Sequence, residues 1–377
     1  MERSKMQALA QYGQSLWLDY IDRPLLESGK LKRLIENGLR GMTSNPSIFN
    51  TAIGSSSDYD DAIRRLKGAG KTTFEIYDAL TIKDIQEATD CFKEVYRSTK
   101  GLDGYVSLEI DPQIAHKTGE QVKEGMRLFN KVQRPNLMVK VPSTDAGIPV
   151  IEELTANGVN VNATLIFGLA QYTQVAEAYF KGLARRVKGK VDIDKLHSVA
   201  SVFVSRIDTS VDQLLDERLK KEADKKKADK LASLKGKAAV ANSRIIYEQA
   251  KRLHTGAEFG KLKKNGANPQ RVLWGSTGTK NPAYSDIKYV TELIAPSTVN
   301  TVPEKTLDAY LDHGQVQETF KGSEREARAV IDALRGLGID IDAVCADLLR
   351  KGVTAFDDAF KELMASIEKK AAELSSV

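Results

Sequence analysis

Eight short apolar segments recur along the 377-residue chain, and longer amphipathic stretches separate them. Several segments are apolar almost throughout, which is typical of parallel strands that are covered on both faces. Strands that alternate with helices predict an α/β fold, here a (β/α)8 TIM barrel. A doubly wound open sheet is the alternative, but no GxGxxG motif follows the first segment. The predicted strands are residues 15–21, 39–46, 105–110, 136–142, 158–167, 198–205, 271–277 and 297–303.

The rest of the sequence predicts helices added to this barrel. Residues 45–100 are too many for one helix, and residues 208–256 contain at least two. After the last strand, helical patterns occupy residues 324–338, 343–352 and 355–374. Because no internal repeat or Pro-rich linker marks a second domain, we predict a single decorated barrel domain over residues 1–377. Residues 304–377 are then its C-terminal helical extension.

Charge and hydropathy limit the partners and the location. The net charge is +5 and the pI is about 8.9, which suits a phosphorylated small molecule as well as nucleic acid. The charged tract at residues 220–237 mixes acids with lysines and lacks aromatic residues, so it predicts a solvated helix face and no nucleic-acid partner. Neither a signal peptide nor a run of about 18 apolar residues is present, so we predict a cytoplasmic protein without a membrane partner.

The cysteines and histidines form no metal-binding motif. The two cysteines, Cys91 and Cys345, lie far apart, which indicates a reducing compartment. The four histidines form neither an HExxH motif nor an i, i+4 pair. We therefore predict no metal and no other cofactor. The oligomeric state stays open between a monomer and a homodimer.

A lysine lies inside the fourth apolar segment. Lys140 stands between Val139 and Val141, although a buried ammonium is costly unless it is paired or neutralised. Desolvation by these neighbours favours the neutral amine, which is the nucleophilic form of lysine. Such a lysine suits Schiff-base formation with a carbonyl substrate, a reaction that needs proton donors and acceptors but no metal.

Polar residues also stand where other predicted strands end, which is where barrels of this type carry their active sites. Asp19 follows the first apolar run, Asn45 follows the second, and Glu109 lies near the end of the third. Taken singly, Asp19 and Asn45 suit helix caps or turns, and Glu109 suits a structural ion pair with Lys140. Together, two carboxylates and an amine at one barrel mouth predict a catalytic site.

The fifth and sixth strands add polar groups by alternation. Asn162 and Thr164 share one face of the fifth strand, which we predict points into the barrel, while Leu165 belongs to the face that packs on helices. In the sixth strand, Ser201 and Phe203 share a face. These two strands therefore predict amide, hydroxyl and aromatic groups beside Lys140.

A phosphate site is indicated by Arg206, just after the sixth strand, and by the sequence GSTGTKN at residues 275–281, after the seventh. Small residues, backbone N–H groups and a cation form a suitable nest for phosphate beside the late strands of a barrel. An ordinary loop explains the Gly-Ser-Thr run about as well.

These residues resemble the transaldolase family. The resemblance runs from about Trp17 to Pro303, and the TSNPS and KVPSTDAGI blocks are its most specific parts. The chain length and the long helical insertions are similar to the longer, bacterial-type branch. The motifs, in order, are WLDY, TSNPSIF, LEID, LMVKVPSTDAGI, NATLIFGLAQY, SVFVSRID and TVNTVP.

The resemblance implies a class I aldolase-type barrel that transfers a ketonic group. It would move a dihydroxyacetone unit from sedoheptulose 7-phosphate to glyceraldehyde 3-phosphate in the pentose phosphate pathway. Lys140 falls on the Schiff-base lysine, Glu109 on the glutamate that works through a water, and Asp19 on the base for the C4 hydroxyl. Arg206 falls on the phosphate-binding arginine. The positions that hold the water or the sugar hydroxyls are Asn45, Asn162, Thr164 and Ser201.

One position departs from the family, and two other functions compete. Lys280 stands where the family often has a second phosphate-binding arginine, and lysine lacks the bidentate fork of arginine. A fructose 6-phosphate aldolase would tend to carry Gln and Tyr in place of Glu109 and Phe203. A barrel that only binds sugar phosphates would have no need of Lys140 together with two carboxylates.

Overall fold

A computed structural model of the protein describes residues 4–317, 320 and 323–374. The eight strands are β1 Gln14–Asp19, β2 Gly41–Thr43, β3 Tyr105–Glu109, β4 Leu137–Pro142, β5 Val161–Ile166, β6 Ser198–Phe203, β7 Arg271–Gly275 and β8 Thr298–Val302. Every strand is parallel to its neighbours, and β1 pairs with both β2 and β8, which closes the sheet. The closed order confirms the predicted TIM barrel and excludes the open sheet.

Helices connect the strands and fill the predicted insertions. Four helices lie between β2 and β3, and four more lie between β6 and β7. None of the helices described here is long and apolar enough to cross a membrane. The helices are α1 Lys5–Gln11, α2 Arg23–Glu27, α3 Lys30–Glu36, α4 Pro46–Gly54, α5 Asp60–Gly68, α6 Thr73–Cys91, α7 Lys93–Ser98, α8 Thr118–Val132, α9 Gly147–Ala156, α10 Leu169–Lys188, α11 Ser205–Leu219, α12 Lys225–Leu234, α13 Ala238–Thr255, α14 Ala257–Lys263, α15 Lys288–Thr291, α16 Glu304–His313, α17 Glu324–Gly336 and α18 Ile341–Leu374, with a 3-10 turn at Pro112–Ile114.

The inside of the barrel is packed in layers, because alternate residues of each strand point inward. Trp17 of β1 fills the space next to Gly41 of β2, where a β-carbon would lie only 2.6 Å from the indole ring. At the N-terminal end of the barrel, the Arg271 guanidinium lies 2.9 Å from the Asp103 carboxylate, and the two form a buried ion pair. The apolar layer consists of Trp17, Tyr105, Met138, Val199, Leu273 and Val299. Above this apolar layer, at the C-terminal end of the barrel, the inward-facing side chains form a polar layer, which contains the predicted residues Glu109, Lys140 and Asn162.

The C-terminal extension crosses this open end. The two helical segments predicted at residues 343–352 and 355–374 form one helix of 34 residues, α18, so the predicted break at Gly352 is wrong. The glycine does not end the helix but brings it close to the barrel, since a β-carbon there would lie 3.0 Å from Leu165. α18 packs on α4, α5, α6, α11 and β5. These contacts support the proposal that the extension belongs to the barrel domain; its residues 318, 319, 321, 322 and 375–377 lie outside the described residues.

Candidate active site

Strand register places three predicted site residues side by side. Lys140 of β4 is the register partner of Glu109 on β3 and of Asn162 on β5. Register partners on neighbouring parallel strands point to the same face of a sheet, which here is the inside of the barrel. The position of each residue within its strand is therefore enough to bring the three side chains together.

Lys140 is buried and has a carboxylate partner. Its amine nitrogen Nζ lies 3.1 Å from Oε2 of Glu109, and both side chains are only 5% exposed. Nζ also donates a hydrogen bond to the Ser44 carbonyl at 3.0 Å. The Phe356 ring of α18 lies above the amine, with its centroid 5.8 Å from Nζ. The expected desolvated lysine is therefore also half of a buried pair.

The pair with Lys140 affects the protonation of Glu109. Burial raises the pKa of Glu109 above its ordinary value, the ammonium of Lys140 lowers it in part, and the charge of Asp19 raises it. A raised pKa makes Glu109 a better proton acceptor than an exposed glutamate. The Glu109 carboxylate is thus a proton acceptor 3.1 Å from the Lys140 nitrogen.

Asp19, at the end of β1, accepts a hydrogen bond from Thr43, which is itself hydrogen-bonded to Thr301. Thr43 Oγ1 donates to Asp19 Oδ1 at 2.6 Å, so the hydroxyl of Thr301, 2.7 Å from Thr43, must donate to Thr43 in turn. Burial raises the pKa of Asp19, while the Lys140 charge and the Thr43 hydrogen bond oppose that rise. The carboxylate is thereby oriented and kept basic.

Amide and hydroxyl groups complete the side of the site near β5. Ser201 Oγ donates to Asn162 Oδ1 at 2.6 Å, and Asn162 Nδ2 donates to Ser107 Oγ at 3.0 Å. This chain of hydrogen bonds fixes the orientation of the Asn162 amide. Thr164 is fully buried, and its hydroxyl has no hydrogen-bond partner in the described part of the chain, so it remains able to bind a polar group.

An irregularity in β5 changes one predicted orientation. The register of β5 with β6 shifts between Ala163 and Ile166, and Leu165 has a left-handed backbone with φ of +59°. Such a bulge redirects the side chains that follow it. Leu165, which strand alternation assigned to the face covered by the surrounding helices, instead lies at the barrel mouth against Gly352 and lines a small cavity beside Glu109.

A cavity of about 320 Å³ opens from this polar layer toward the solvent. Asn45 lines it and also begins α4, where its Oδ1 accepts from the Ile48 backbone N–H at 3.0 Å. The helix-cap interpretation of Asn45 is therefore correct, and its amide nitrogen remains the group that a ligand can contact. The predicted site residues around the cavity are Asp19, Asn45, Phe203, Arg206 and Lys280.

Two cations line this cavity. Arg206, in the first turn of α11, and Lys280, after β7, both line it, as do Ser276 and Gly278. The Ser205 N–H donates to the Ser276 carbonyl at 3.0 Å, which joins the two segments. Within residues 4–317, 320 and 323–374, neither cation has an ion-pair partner. Burial lowers the pKa of Arg206, but arginine stays charged, so the cavity offers fixed positive charge to an anion.

Several groups in the site were not predicted to take part in it. Ser107 is two residues from Glu109 in β3, and Thr301 is two residues from the inward-facing Val299 in β8. Strand alternation therefore places both side chains inside the barrel and could have predicted them. Phe356 could not be predicted in this way, because α18 reaches the site only by packing across the barrel.

No group of three or more His, Cys, Asp or Glu side chains suited to a metal ion occurs among the described residues, and the absence of a cofactor remains a prediction.

Comparison with known proteins gives one consistent result. The sequence profile of the family described as Transaldolase/Fructose-6-phosphate aldolase matches residues 16–367. A transaldolase of Trichodesmium erythraeum (strain IMS101) is 44% identical over 369 residues, which cover 97% of both chains. Transaldolase 2 of Nostoc sp. (strain PCC 7120) is 42% identical over 373 residues and 98% of both chains. A transaldolase of Saccharopolyspora erythraea is 42% identical over 368 residues and 97% of both chains.

Proposed function

The chain belongs to the transaldolase and fructose 6-phosphate aldolase family, and we propose that it catalyses the transaldolase reaction through an imine on Lys140. The reaction moves a dihydroxyacetone unit from sedoheptulose 7-phosphate to glyceraldehyde 3-phosphate. It yields erythrose 4-phosphate and fructose 6-phosphate, as a step of the pentose phosphate pathway. The observation that carries the proposal is a buried amine 3.1 Å from a carboxylate, at the mouth of a barrel. Glu109 and Phe203, in place of Gln and Tyr, favour transfer over simple aldol cleavage.

Imine formation uses the pair of Lys140 and Glu109. Glu109 takes the proton that Lys140 loses to become a neutral amine, and the amine adds to the C2 carbonyl of the ketose phosphate. One proton then moves from the nitrogen to the new alkoxide oxygen, and Glu109 gives its proton to the resulting hydroxyl group, so that water leaves and a protonated imine remains on Lys140. Because both side chains are buried, these transfers occur in a site of low polarity, where proton transfer between fixed groups is efficient.

Carbon–carbon cleavage uses Asp19. Its carboxylate takes the proton of the C4 hydroxyl, the C3–C4 bond breaks, and erythrose 4-phosphate leaves as an aldehyde. The electron pair of the broken bond moves to C3 and into the imine, which leaves a dihydroxyacetone enamine on Lys140. In the second half of the reaction, C3 of the enamine attacks the new aldehyde, whose oxygen receives the proton from Asp19. Hydrolysis of the resulting imine then releases fructose 6-phosphate.

The two cations and the reactive pair lie in different parts of the site. Lys140 and Glu109 lie in the polar layer of the barrel and do not line the 320 Å³ cavity, whereas Arg206 and Lys280 line it. A phosphate held there would leave the ketone end of the sugar directed at Lys140. The candidates for contacts with the sugar hydroxyl groups between the phosphate and the ketone are Asn45, Asn162, Thr164 and Ser201.

A cytoplasmic location is also part of this proposal and suits the two free cysteines. Both a monomer and a homodimer are compatible with it.

The function is tested by a transfer assay on the purified chain. Sedoheptulose 7-phosphate and glyceraldehyde 3-phosphate together should give fructose 6-phosphate, and omission of the acceptor should almost stop turnover. Production of free dihydroxyacetone at the same rate with and without an acceptor would instead identify a simple aldolase. Binding of sugar phosphates with no turnover would identify the non-catalytic alternative.

Replacement of Arg206 by alanine should raise KM for phosphorylated sugars. A charge-assisted hydrogen bond contributes about 1.5–3 kcal/mol, so the expected rise is roughly 10-fold to 100-fold. KM for the corresponding unphosphorylated sugars should change far less. Arg218→Ala, in the last turn of the same helix, removes an equal charge away from the cavity and serves as the control.

Lys280 is tested in the same assay. Lys280→Met should raise KM for phosphorylated sugars, whereas Lys280→Arg should be tolerated because it keeps the positive charge. If Arg206→Ala raises KM equally for phosphorylated and unphosphorylated substrates, Arg206 does not bind the phosphate.

A further inference from the structure

Two aspartates of α11 bind the segment between β7 and β8. Asp208 and Asp212 lie one turn apart on the helix, and both are buried. Oδ2 of Asp212 accepts a hydrogen bond from the Tyr284 hydroxyl at 2.6 Å. Oδ2 of Asp208 accepts one from the Tyr289 hydroxyl at 2.7 Å. Two hydrogen bonds thus join this segment to the helix that carries Arg206.

The same two carboxylates also bind the backbone at the start of α13. Asp212 Oδ1 accepts from the Gly236 N–H at 2.8 Å. Asp208 Oδ1 accepts from the Ala239 N–H at 2.7 Å. Gly236 also leaves room for the phenol of Tyr284, since a β-carbon there would lie 2.7 Å from the ring. The orientation of each carboxylate is therefore fixed by a backbone group as well as by a tyrosine.

Tyr284 stands four residues after Lys280 in a compact turn. Thr279 Oγ1 donates to the Ser285 carbonyl at 2.8 Å, which closes the turn around both residues. Within the turn, the Tyr284 N–H donates to the Asn281 carbonyl at 3.1 Å. The position of Tyr284 therefore determines where the backbone that carries Lys280 lies.

A cavity of about 450 Å³ lies between this turn and α11. Lys280 lines it, and Lys280 also lines the 320 Å³ cavity that contains Arg206. Both tyrosine–aspartate pairs line the larger cavity as well. Because side chains do not fill all the space between the turn and the helix, the distance between them depends on these hydrogen bonds.

We propose that Asp208 and Asp212 are positioning residues for the substrate phosphate. Through the two tyrosines they hold Lys280 where it binds the same phosphate group as Arg206. The inference rests on the proposed function, which assigns the phosphate to these two cations. A backbone that is already held in place loses less conformational entropy when the ligand binds, so the lysine contributes more to affinity. Loss of a tyrosine–aspartate bond should therefore weaken phosphate binding without changing the chemistry at Lys140.

The experiment removes single hydroxyl groups and compares KM for fructose 6-phosphate with KM for fructose. Tyr284→Phe should raise KM for fructose 6-phosphate roughly threefold to tenfold, since only part of the free energy of one hydrogen bond reaches Lys280. Both kcat and KM for fructose should stay close to the wild-type values. Tyr179→Phe is the matched control and should change neither KM. The buried Tyr179 donates to the Asn268 carbonyl at 3.0 Å, and Asn268 precedes β7, at the opposite end of the barrel.

Two further variants distinguish positioning from a simple effect of charge. Asp212→Asn keeps an oxygen for the Gly236 N–H and offers its amide N–H to the oxygen of Tyr284, so the link persists with its direction reversed. KM for fructose 6-phosphate should then stay near the wild-type value, although a negative charge is lost. In the Lys280→Met background, Tyr284→Phe should have no further effect on KM, because the ammonium that it positions is absent.

The outcomes separate this inference from the proposed function. Thermal denaturation shows which variants are folded, and if Tyr284→Phe is not, Tyr289→Phe decides the question in the same assay. The inference is overturned if KM for fructose 6-phosphate is unchanged, if KM for fructose rises equally, or if the rise persists in Lys280→Met. An equal rise in Asp212→Asn also overturns it, because the effect would then come from charge. If the wild-type chain shows no transfer at all, the proposed function itself is wrong.

Discussion

Replacement of Lys140 by methionine is expected to lower kcat for transfer by about 10⁴-fold or more, the scale on which a covalent enzyme loses turnover without its nucleophile. The variant should nevertheless fold, because methionine fills a similar volume in β4. Glu109 would then lose its ammonium partner, but burial already raises the pKa of that carboxyl, so it can take up a proton instead of remaining as an unpaired charge. Thermal denaturation checks that the barrel is intact.

Chemical trapping supplies the direct measurement. Borohydride added with fructose 6-phosphate should reduce the imine to a stable amine, add mass to the peptide that contains Lys140, and inactivate the wild-type enzyme. Lys140→Met should gain no label. Lys181→Ala, which removes an exposed lysine of α10, should be labelled and inactivated like the wild type. A label on another lysine, or substantial activity in Lys140→Met, would refute the imine mechanism.

Replacement of Asp19 by asparagine is expected to lower kcat for transfer by about 10²–10⁴-fold, the usual contribution of a general base. Asparagine has nearly the same shape and keeps an oxygen that can accept from Thr43, so the effect should come from lost basicity. Imine formation does not need this base. Dihydroxyacetone with borohydride should therefore still label Lys140 in Asp19→Asn, which distinguishes lost cleavage from a damaged site.

The pH dependence provides a second readout for Asp19. The carboxylate acts in its ionised form, and burial raises its pKa above the ordinary value for aspartate. Activity should therefore fall as the pH is lowered, with an acid limb at higher pH than an exposed aspartate would give. Thr43→Val removes a hydrogen bond that favours the charged form, so it should move this acid limb to still higher pH.

A matched control separates the basicity of Asp19 from the loss of one negative charge near the barrel mouth. Asp22, three residues further along the chain, accepts from the Leu25 backbone N–H as the N-cap of α2. Asparagine serves as well as aspartate in that role, so Asp22→Asn should keep its activity although it loses the same charge nearby. Asp19 is not the cleavage base if the two variants have equal kcat.

Much of the site followed from local sequence patterns. Strand alternation placed Asn162 and Ser201 inside the barrel, and the apolar neighbours of Lys140 predicted a buried amine. Both inferences hold because a strand has a period of two and a buried strand reads as an apolar run. The closed parallel order of the strands then placed Glu109 next to Lys140, as the register of β3 with β4 shows.

Other features were decided only by tertiary packing. No local rule predicts that α18 continues through Gly352, since glycine usually weakens a helix, and here contact with Leu165 explains its presence. The bulge in β5 turned Leu165 toward the barrel mouth against strand alternation. Phe356 lies more than two hundred residues from Lys140 in the chain, so its place above the amine depends on how a whole helix docks.

The sequence by itself thus determined the barrel and the reactive groups that its own strands carry, because those are set by local periodicity. Only the tertiary structure decided what covers them, because that depends on contacts between distant segments.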